Sequence, residues 1–263
     1  MADEEPVFET TAGPVRVITA ASLFDGHDAA INVMRRLIQS SGAEVIHLGH
    51  DQSAKAVVDC AVQEDAHAVA LTSYQGGHVE YFSYIRELLD EAGCEHVRIF
   101  GGGGGTITPP EIRTLHQAGI SKIYSPDDGR TMGLMGMIHH LMGQAAEVDL
   151  ISQERMKSLD GPVTPEDMAK VGLLLTLSES ADEATFKAAV ETCRSSDKEV
   201  PVIGFTGTGG AGKSSLLDEL MLRIQRDNPG KKVCLLCVDP TRKRTGGALL
   251  GDRIRMNSLS NND

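Results

Sequence analysis

The sequence has no tryptophan and only 6 Phe and 4 Tyr among 263 residues, so its cores must be built from Ala, Val, Ile, Leu and 10 Met. Positive charge is also short. The 25 Lys plus Arg against 37 Asp plus Glu leave a formal net charge of −12, which excludes a non-specific polyanion binder and sets nucleic acid aside as a partner. No apolar run approaches the ~18 residues of a membrane-spanning helix, and the opening MADEEPVFETTAG is acidic with no apolar leader core, so no membrane partner is expected. Cys60, Cys94, Cys193, Cys234 and Cys237 lack the spacing of a disulfide framework, which fits a reducing cytoplasm. What is present is an α/β composition of a length suited to two domains, with 28 glycines concentrated in two clusters where backbone can approach a ligand.

After a tail over 1–14, β-branched runs alternate with amphipathic segments, the pattern of a parallel sheet covered by helices on both faces. Strands are predicted at Val15–Thr19, Glu44–Leu48, Ala68–Thr72, Val97–Phe100 and Lys122–Tyr124. Helices are predicted near Asp28–Ser40, Ser53–Glu64, Val79–Ala92 and Pro109–Ala118, with a fifth starting near Gly129. Five consecutive βα units of this length point to a flavodoxin-like (Rossmann-like) sheet, taken as one domain over 15–145. Residues 146–199 read as a helical linker, with pieces at Met132–Leu159, Pro165–Leu177 and Ala184–Arg194 across the junction. The Met-rich stretch MGLMGMIHHLMGQ reads as a packed helix face. From Val200 a strand, VPVIGF, opens a P-loop NTPase domain with a helix over Ser214–Arg226 and a second strand, VCLLCV. Such a fold needs further βα units, so the part over 200–263 is expected to be incomplete.

Gly207-Thr-Gly-Gly-Ala-Gly212-Lys213-Ser214 fits the phosphate-loop pattern between a strand and a helix. Gly207, Gly209, Gly210, Ala211 and Gly212 let backbone N–H groups face phosphate oxygens. Lys213 is the candidate catalytic group on the terminal phosphates, Ser214 a candidate Mg²⁺ ligand, and Ser215 completes the nucleotide-binding run. A second constellation gathers at the carboxyl ends of the first, third and fourth strands, where ligands of such sheets sit. It comprises Asp25-Gly26-His27, Ser73-Tyr-Gln75-Gly76-Gly-His78 and the run Gly101–Gly105. An imidazole with a carboxylate to orient it, a hydroxyl and bare backbone suit a large flat ligand with a tail. Cys234 and Cys237, at odd separation on a strand, are expected to pack on opposite faces, and His47, His50, His139 and His140 to be structural or solvated.

Asp25-x-His27, Ser73-x-Gln75 after 42 intervening residues and Gly101-Gly102 after 25 more resemble the D-x-H-x-x-G, S-x-L, G-G signature of cobalamin-binding domains, with Ala30 and Gln75 as departures. The stretches FDGHDAAINVMRR, TSYQGGHVEYF and IFGGGGGTITPPEI are similar to the fused isobutyryl-CoA mutases of the methylmalonyl-CoA mutase family. VDPTRKRTGGALLGDRIRM resembles the G-protein chaperones of acyl-CoA mutases at Asp239, Gly246, Gly247, Asp252 and Arg255, with Thr241 where Ser is usual. The resemblance implies adenosylcobalamin with His27 on cobalt and Asp25 on the other ring nitrogen. It places Ser73 at the displaced dimethylbenzimidazole, Gln75 and Gly76 beside it, and Gly101 and Gly102 against the nucleotide tail. It also implies GTP or GDP with Mg²⁺ on Ser214, Asp239 and Asp252, a GTPase chaperone role, a homodimer, and delivery of the cofactor by an adenosyltransferase. The expected reaction is the radical interconversion of isobutyryl-CoA and butyryl-CoA in a substrate barrel that this chain lacks, so the chain alone is expected to be inactive as a mutase. A corrinoid carrier and a nucleotide-driven cobalamin-loading factor are the alternatives; a receiver domain needs an Asp where Ser73 stands.

Overall fold

Central to the fold is Ala68–Thr72, a short apolar run buried along its whole length, which pairs on both edges in a five-stranded parallel sheet. The computed structural model describes residues 6, 8–164, 166–194 and 200–237, with Asp28 placed by its backbone alone. They group into two compact units, Met1–Asp197 and Lys198–Asp263.

In the first unit a small antiparallel ribbon, β1 (Glu9–Thr10) and β2 (Gly13–Pro14), precedes the sheet. Then follow β3 (Arg16–Ser22), α1 (Asp28–Ser40), β4 (Glu44–Gln52), α2 (Ala54–Gln63), β5 (Ala68–Thr72), α3 (His78–Glu91), β6 (Arg98–Gly102), a 3-10 turn at Gly104–Thr106, α4 (Pro109–Gln117), β7 (Lys122–Tyr124) and α5 (Pro126–Ala146). The strand order is β4-β3-β5-β6-β7, all parallel, which is 2-1-3-4-5 when the five are counted alone and is the flavodoxin-like order. Alternate residues feed opposite layers, as the pleat requires. Ile18, Val69, Leu71, Ile99 and Ile123 join Val57, Phe82, Ile85 and Leu115 on one face. Val17, Ala68, Ala70, Phe100 and Tyr124 join Ile38, Ile138 and Leu141 on the other.

Three strands run further than expected, β6 among them, which continues past Phe100 through Gly101 to Gly102. β3 continues through Ala20 and Ala21 to Ser22, because burial between two neighbours outweighs the weak strand preference of alanine. β4 continues to Gln52 with register shifts against β3 on either side of the Ala20–Gly49 pair. Helix α5 starts at Pro126, three residues before Gly129, because Ser125 and Asp128 form a capping box with Pro at the first position. Gly133, at φ 66° and ψ 175°, kinks it. The continuous helix expected over Met132–Leu159 is broken: α5 ends at Ala146 and α6 (Gln153–Met156) restarts under a Ser152 cap. Met137 and Met142 pack into the core, whereas Met132 and Met135 are exposed.

Helices α6, α7 (Met168–Ser180) and α8 (Glu183–Cys193) belong to this same unit. They are tied to the sheet by buried Asp65, whose carboxylate accepts from Arg155 Nη2 at 2.6 Å and Thr176 Oγ1 at 2.6 Å. Arg16 Nη2 donates to the same Thr176 hydroxyl at 2.7 Å. Burial pushes neighbouring His67 down to about 4 and His96 down to about 3, with the surrounding arginines adding to the shift.

In the second unit the described residues form α9 (Lys213–Asp227) and connecting loops. The strands expected at VPVIGF and VCLLCV are absent among the described residues; Val202 and Leu236 are largely exposed, and so are Cys234 and Cys237, expected to pack on opposite faces. A β-branched run becomes a strand only by pairing, and no described segment of this unit lies beside either run as a ladder partner. No helix among the described residues is long and apolar enough to cross a membrane.

Candidate functional site

At the carboxyl end of the sheet, β3 turns sharply as Asp25 N–H donates to Ser22 O at 3.0 Å, and the Asp25 side chain turns inward to complete burial. Its Oδ1 accepts the His27 N–H at 2.9 Å and meets His27 Nδ1 at 2.8 Å. Its Oδ2 accepts the Tyr74 N–H at 2.6 Å. Burial alone pushes a carboxyl up, but these donors, Tyr74 first and then His27, overcome it and hold Asp25 below the ordinary carboxylate range. An ionised Asp25 therefore draws the imidazole proton onto Nδ1 and leaves Nε2 as the lone-pair nitrogen. The His27 side chain is 64% exposed, so that nitrogen belongs to a ring open to the outside while its partner is locked inside.

The second loop is held in register with the first. Ser22 Oγ donates to Ser73 Oγ at 3.0 Å, and Ser73 N–H donates to Gly102 O at 2.9 Å. The Tyr74 ring stands 5.7 Å from the His27 ring, tilted by 52°. Gln75, Gly76 and Gly26 are exposed, and a methyl group on either glycine would meet nothing within 4 Å. His78 is buried instead, with Nε2 3.3 Å from Glu111 Oε2. Thr108 and then His78 hold the Glu111 carboxyl down to about 2.

The third loop owes its path to absent side chains. A Cβ on Gly101 would stand 2.4 Å from Phe82 Cζ, and one on Gly102 3.4 Å from Tyr124 O. On Gly103 it would lie 1.9 Å from Ser73 O. The structure thus brings Asp25, His27, Ser73, Gln75, Gly76, Gly101 and Gly102 to one sheet edge. Ser22 contributes to the same edge and was not singled out in the sequence, while Tyr74 and Gly103 lie within the runs singled out there but were assigned no role of their own. Tyr74 acts through its backbone N–H, which no side-chain pattern reveals. His47, expected to be structural, meets the Thr19 hydroxyl at 2.9 Å, and His140 meets the Tyr124 hydroxyl at 2.9 Å.

A cleft of about 1360 Å³ lies elsewhere, lined by Lys55, His96, Arg98, Arg155 and Lys170, and contains none of the candidate residues. The three-loop edge differs from it in being joined through one buried carboxylate, Asp25, which meets both His27 and the Tyr74 N–H, whereas the cleft is lined by charges of both signs.

The phosphate loop is described by itself. Gly210 and Gly212 take left-handed φ values of 77° and 82°, and α9 starts at Lys213. Lys213 Nζ donates to Gly207 O and Thr208 O, both at 2.9 Å, which closes the loop upon itself. Gly209 and Ala211 are exposed, Ser214 is half-buried and Ser215 is exposed. Asp239 and Asp252, the remaining expected Mg²⁺ ligands, lie outside the described residues.

Comparison with known proteins gives two domain families, the second of which begins inside α7 of the first unit. Residues 15–127 match the B12 binding domain family, and 171–263 match the family described as methylmalonyl Co-A mutase-associated GTPase MeaB. The fused isobutyryl-CoA mutase of Geobacillus kaustophilus is 51% identical over 255 residues, and that of Nocardia farcinica is 53% identical over 249; each comparison covers 94% of this chain. The chain spans only 23% of the length of either relative. The 2-hydroxyisobutanoyl-CoA mutase small subunit of Aquincola tertiaricarbonis is 30% identical over 115 residues, covering 43% of this chain and 82% of that protein. Its matched domains and its identity to both fused enzymes together show that this chain belongs to the fused isobutyryl-CoA mutase family.

Proposed function

We propose that the chain is the cobalamin- and nucleotide-binding portion of an adenosylcobalamin-dependent acyl-CoA mutase that interconverts isobutyryl-CoA and butyryl-CoA. The observation that carries this reading is the pair of buried, ionised Asp25 and exposed His27, which sets a metal-ready Nε2 at the mouth of three loops. The residues present fit a corrinoid: Gly26 and Gly76 face open space, and bare backbone at Gly103 lets the third loop pack directly on Ser73 O.

In this reading His27 Nε2 holds cobalt while Asp25 keeps the proton on Nδ1 and raises the basicity of the ligand. Ser73, oriented by Ser22, meets the displaced base, with Gln75 and Gly76 beside it, and the backbone of Gly101 and Gly102 lies against the nucleotide tail. The cofactor, when bound, supplies the radical chemistry of carbon-skeleton rearrangement. An acyl-CoA site outside this chain holds the substrate, and the chain alone turns over none. Lys213 exchanges its two carbonyl partners for the phosphates of GTP, and Ser214 supplies a Mg²⁺ oxygen, assisted by Asp239 and Asp252. The reading extends to a cytoplasmic homodimer that receives its cofactor from an adenosyltransferase, with the residues over 15–145, 146–199 and 200–263 acting as cobalamin domain, helical linker and start of the GTPase.

The test is a titration of the 263-residue chain with adenosylcobalamin, followed by its visible spectrum, beside equilibrium dialysis against GTP and ATP. The expected result is saturable binding with a shift from the base-on to the base-off spectrum and retention of GTP over ATP. Nucleotide binding without any corrinoid binding would overturn the cobalamin reading in favour of a nucleotide-driven loading factor.

A further inference from the structure

Among the described residues three non-glycine residues have positive φ, Phe24, Asp51 and Asp65, and the first two are joined to each other at the mouth of the candidate site. Phe24 is the third residue of the turn closed by Asp25 N–H on Ser22 O, a position where its φ of 63° suits glycine and strains a bulky side chain. Its ring contributes nothing to the turn's stability through packing, being 80% exposed. The compensating contact comes from the next strand: Asp51 Oδ1 accepts the Phe24 N–H at 2.6 Å. Asp51 is itself held at φ 60°, inside the irregular stretch of β4 between Gly49, which pairs with Ala20, and Gln52, which pairs with Ser22. Irregularities of this kind re-aim side chains near sites. Gln52 is fixed there by Tyr81, whose hydroxyl donates to Gln52 O at 2.8 Å.

We infer that Asp51 is a positioning residue for the His27 ligand, holding the strained Phe24 turn that carries Asp25 inward and sets the imidazole at the mouth. The inference rests on the cobalamin reading. It adds a group that touches neither His27 nor its carboxylate partner and acts through one backbone N–H. Without that acceptor the turn relaxes out of the left-handed region, and Asp25 no longer meets both the Tyr74 N–H and His27 Nδ1.

Adenosylcobalamin affinity and the electron paramagnetic resonance of the Co(II) form are to be measured for wild type, Asp51→Ala, Asp51→Asn, Phe24→Gly and the double variant Phe24→Gly/Asp51→Ala. Asp51→Ala is expected to bind roughly tenfold more weakly, the equivalent of one strained residue, with a reduced fraction of the signal split by an imidazole nitrogen. Asp51→Asn, which keeps an acceptor oxygen, should restore both readouts. In the Phe24→Gly background, where the turn carries no strain, Asp51→Ala should change affinity by less than about twofold. Equal loss from Asp51→Ala in both backgrounds, or no loss in either, would overturn the inference while wild-type binding stands. Absence of binding by the wild type would instead sink the cobalamin reading. Both residues are exposed, and circular dichroism of each variant checks that the fold is intact.

Discussion

Replacing Gly103 by Ala puts the close approach of two loops to a quantitative test. The added methyl would lie 1.9 Å from the carbonyl oxygen and 2.9 Å from the carbonyl carbon of Ser73, both backbone atoms that no rotamer change can move. Restoring even a tight 3.0 Å contact requires the loops to part by about 1 Å. That opening lengthens the 2.9 Å bond from Ser73 N–H to Gly102 O beyond hydrogen-bonding range. Overpacking of this kind costs about 1–3 kcal/mol and the lost bond about 1 more, so roughly 2–4 kcal/mol in all. For a unit of this size each kcal/mol moves Tm by about 2–4 °C, which gives a fall of roughly 5–15 °C by scanning calorimetry. Gly105→Ala, with nothing within 4 Å of its Cβ, is the control and should shift Tm by no more than about 2 °C. Because Tyr74 follows Ser73 directly, Gly103→Ala should also weaken adenosylcobalamin binding. A Gly103→Ala protein that melts within about 2 °C of wild type would refute the account of how these loops are spaced.

The buried histidines predict acid sensitivity at neutral-side pH. His67, held neutral at about 4 by burial and Arg16, is unprotonated in the fold across the range where the unfolded chain takes up a proton. Its contribution is intact above pH about 6.5 and is lost as pH falls towards 4, on the order of 3 kcal/mol in total. His67→Asn, which keeps an acceptor for the Arg16 N–H, should flatten the pH dependence of urea unfolding between pH 7 and 4.5; an unchanged slope would remove His67 from the account. Lys213→Ala should lower GTP affinity roughly 10- to 100-fold through loss of a charge-assisted contact, leaving α9 helical by circular dichroism. Undiminished binding would show that the lysine is not the phosphate partner.

Where packing and periodicity agree, the sequence was a sufficient guide. Ala68–Thr72 and Asp28–Ser40 lie where the pattern placed them, since one is buried on both faces and the other presents one apolar stripe. Ala20 and Ala21 were invisible as strand because their extension depends on two neighbours and not on their own preference. The Ser125-Pro126 start of α5 was written in the chain as a capping signal that the glycine at 129 obscured. At the candidate site, the placement of Asp25, His27, Ser73 and Gly101 together was legible because the contacts of each run through a side chain or its absence. Tyr74 and Asp51 were not, since one acts through backbone and the other is aimed by an irregular strand. VPVIGF and VCLLCV show the reverse case, apolar runs that form no strand among the described residues, which supply no ladder partner.

The most direct measurement is electron paramagnetic resonance of the bound Co(II) corrinoid in wild type and His27→Ala. The account predicts the superhyperfine splitting of one axial imidazole nitrogen in the wild type and its loss in the variant. A splitting that survives His27→Ala, or that is absent from a corrinoid-loaded wild type, would contradict the claim that His27, oriented by Asp25, is the cobalt ligand.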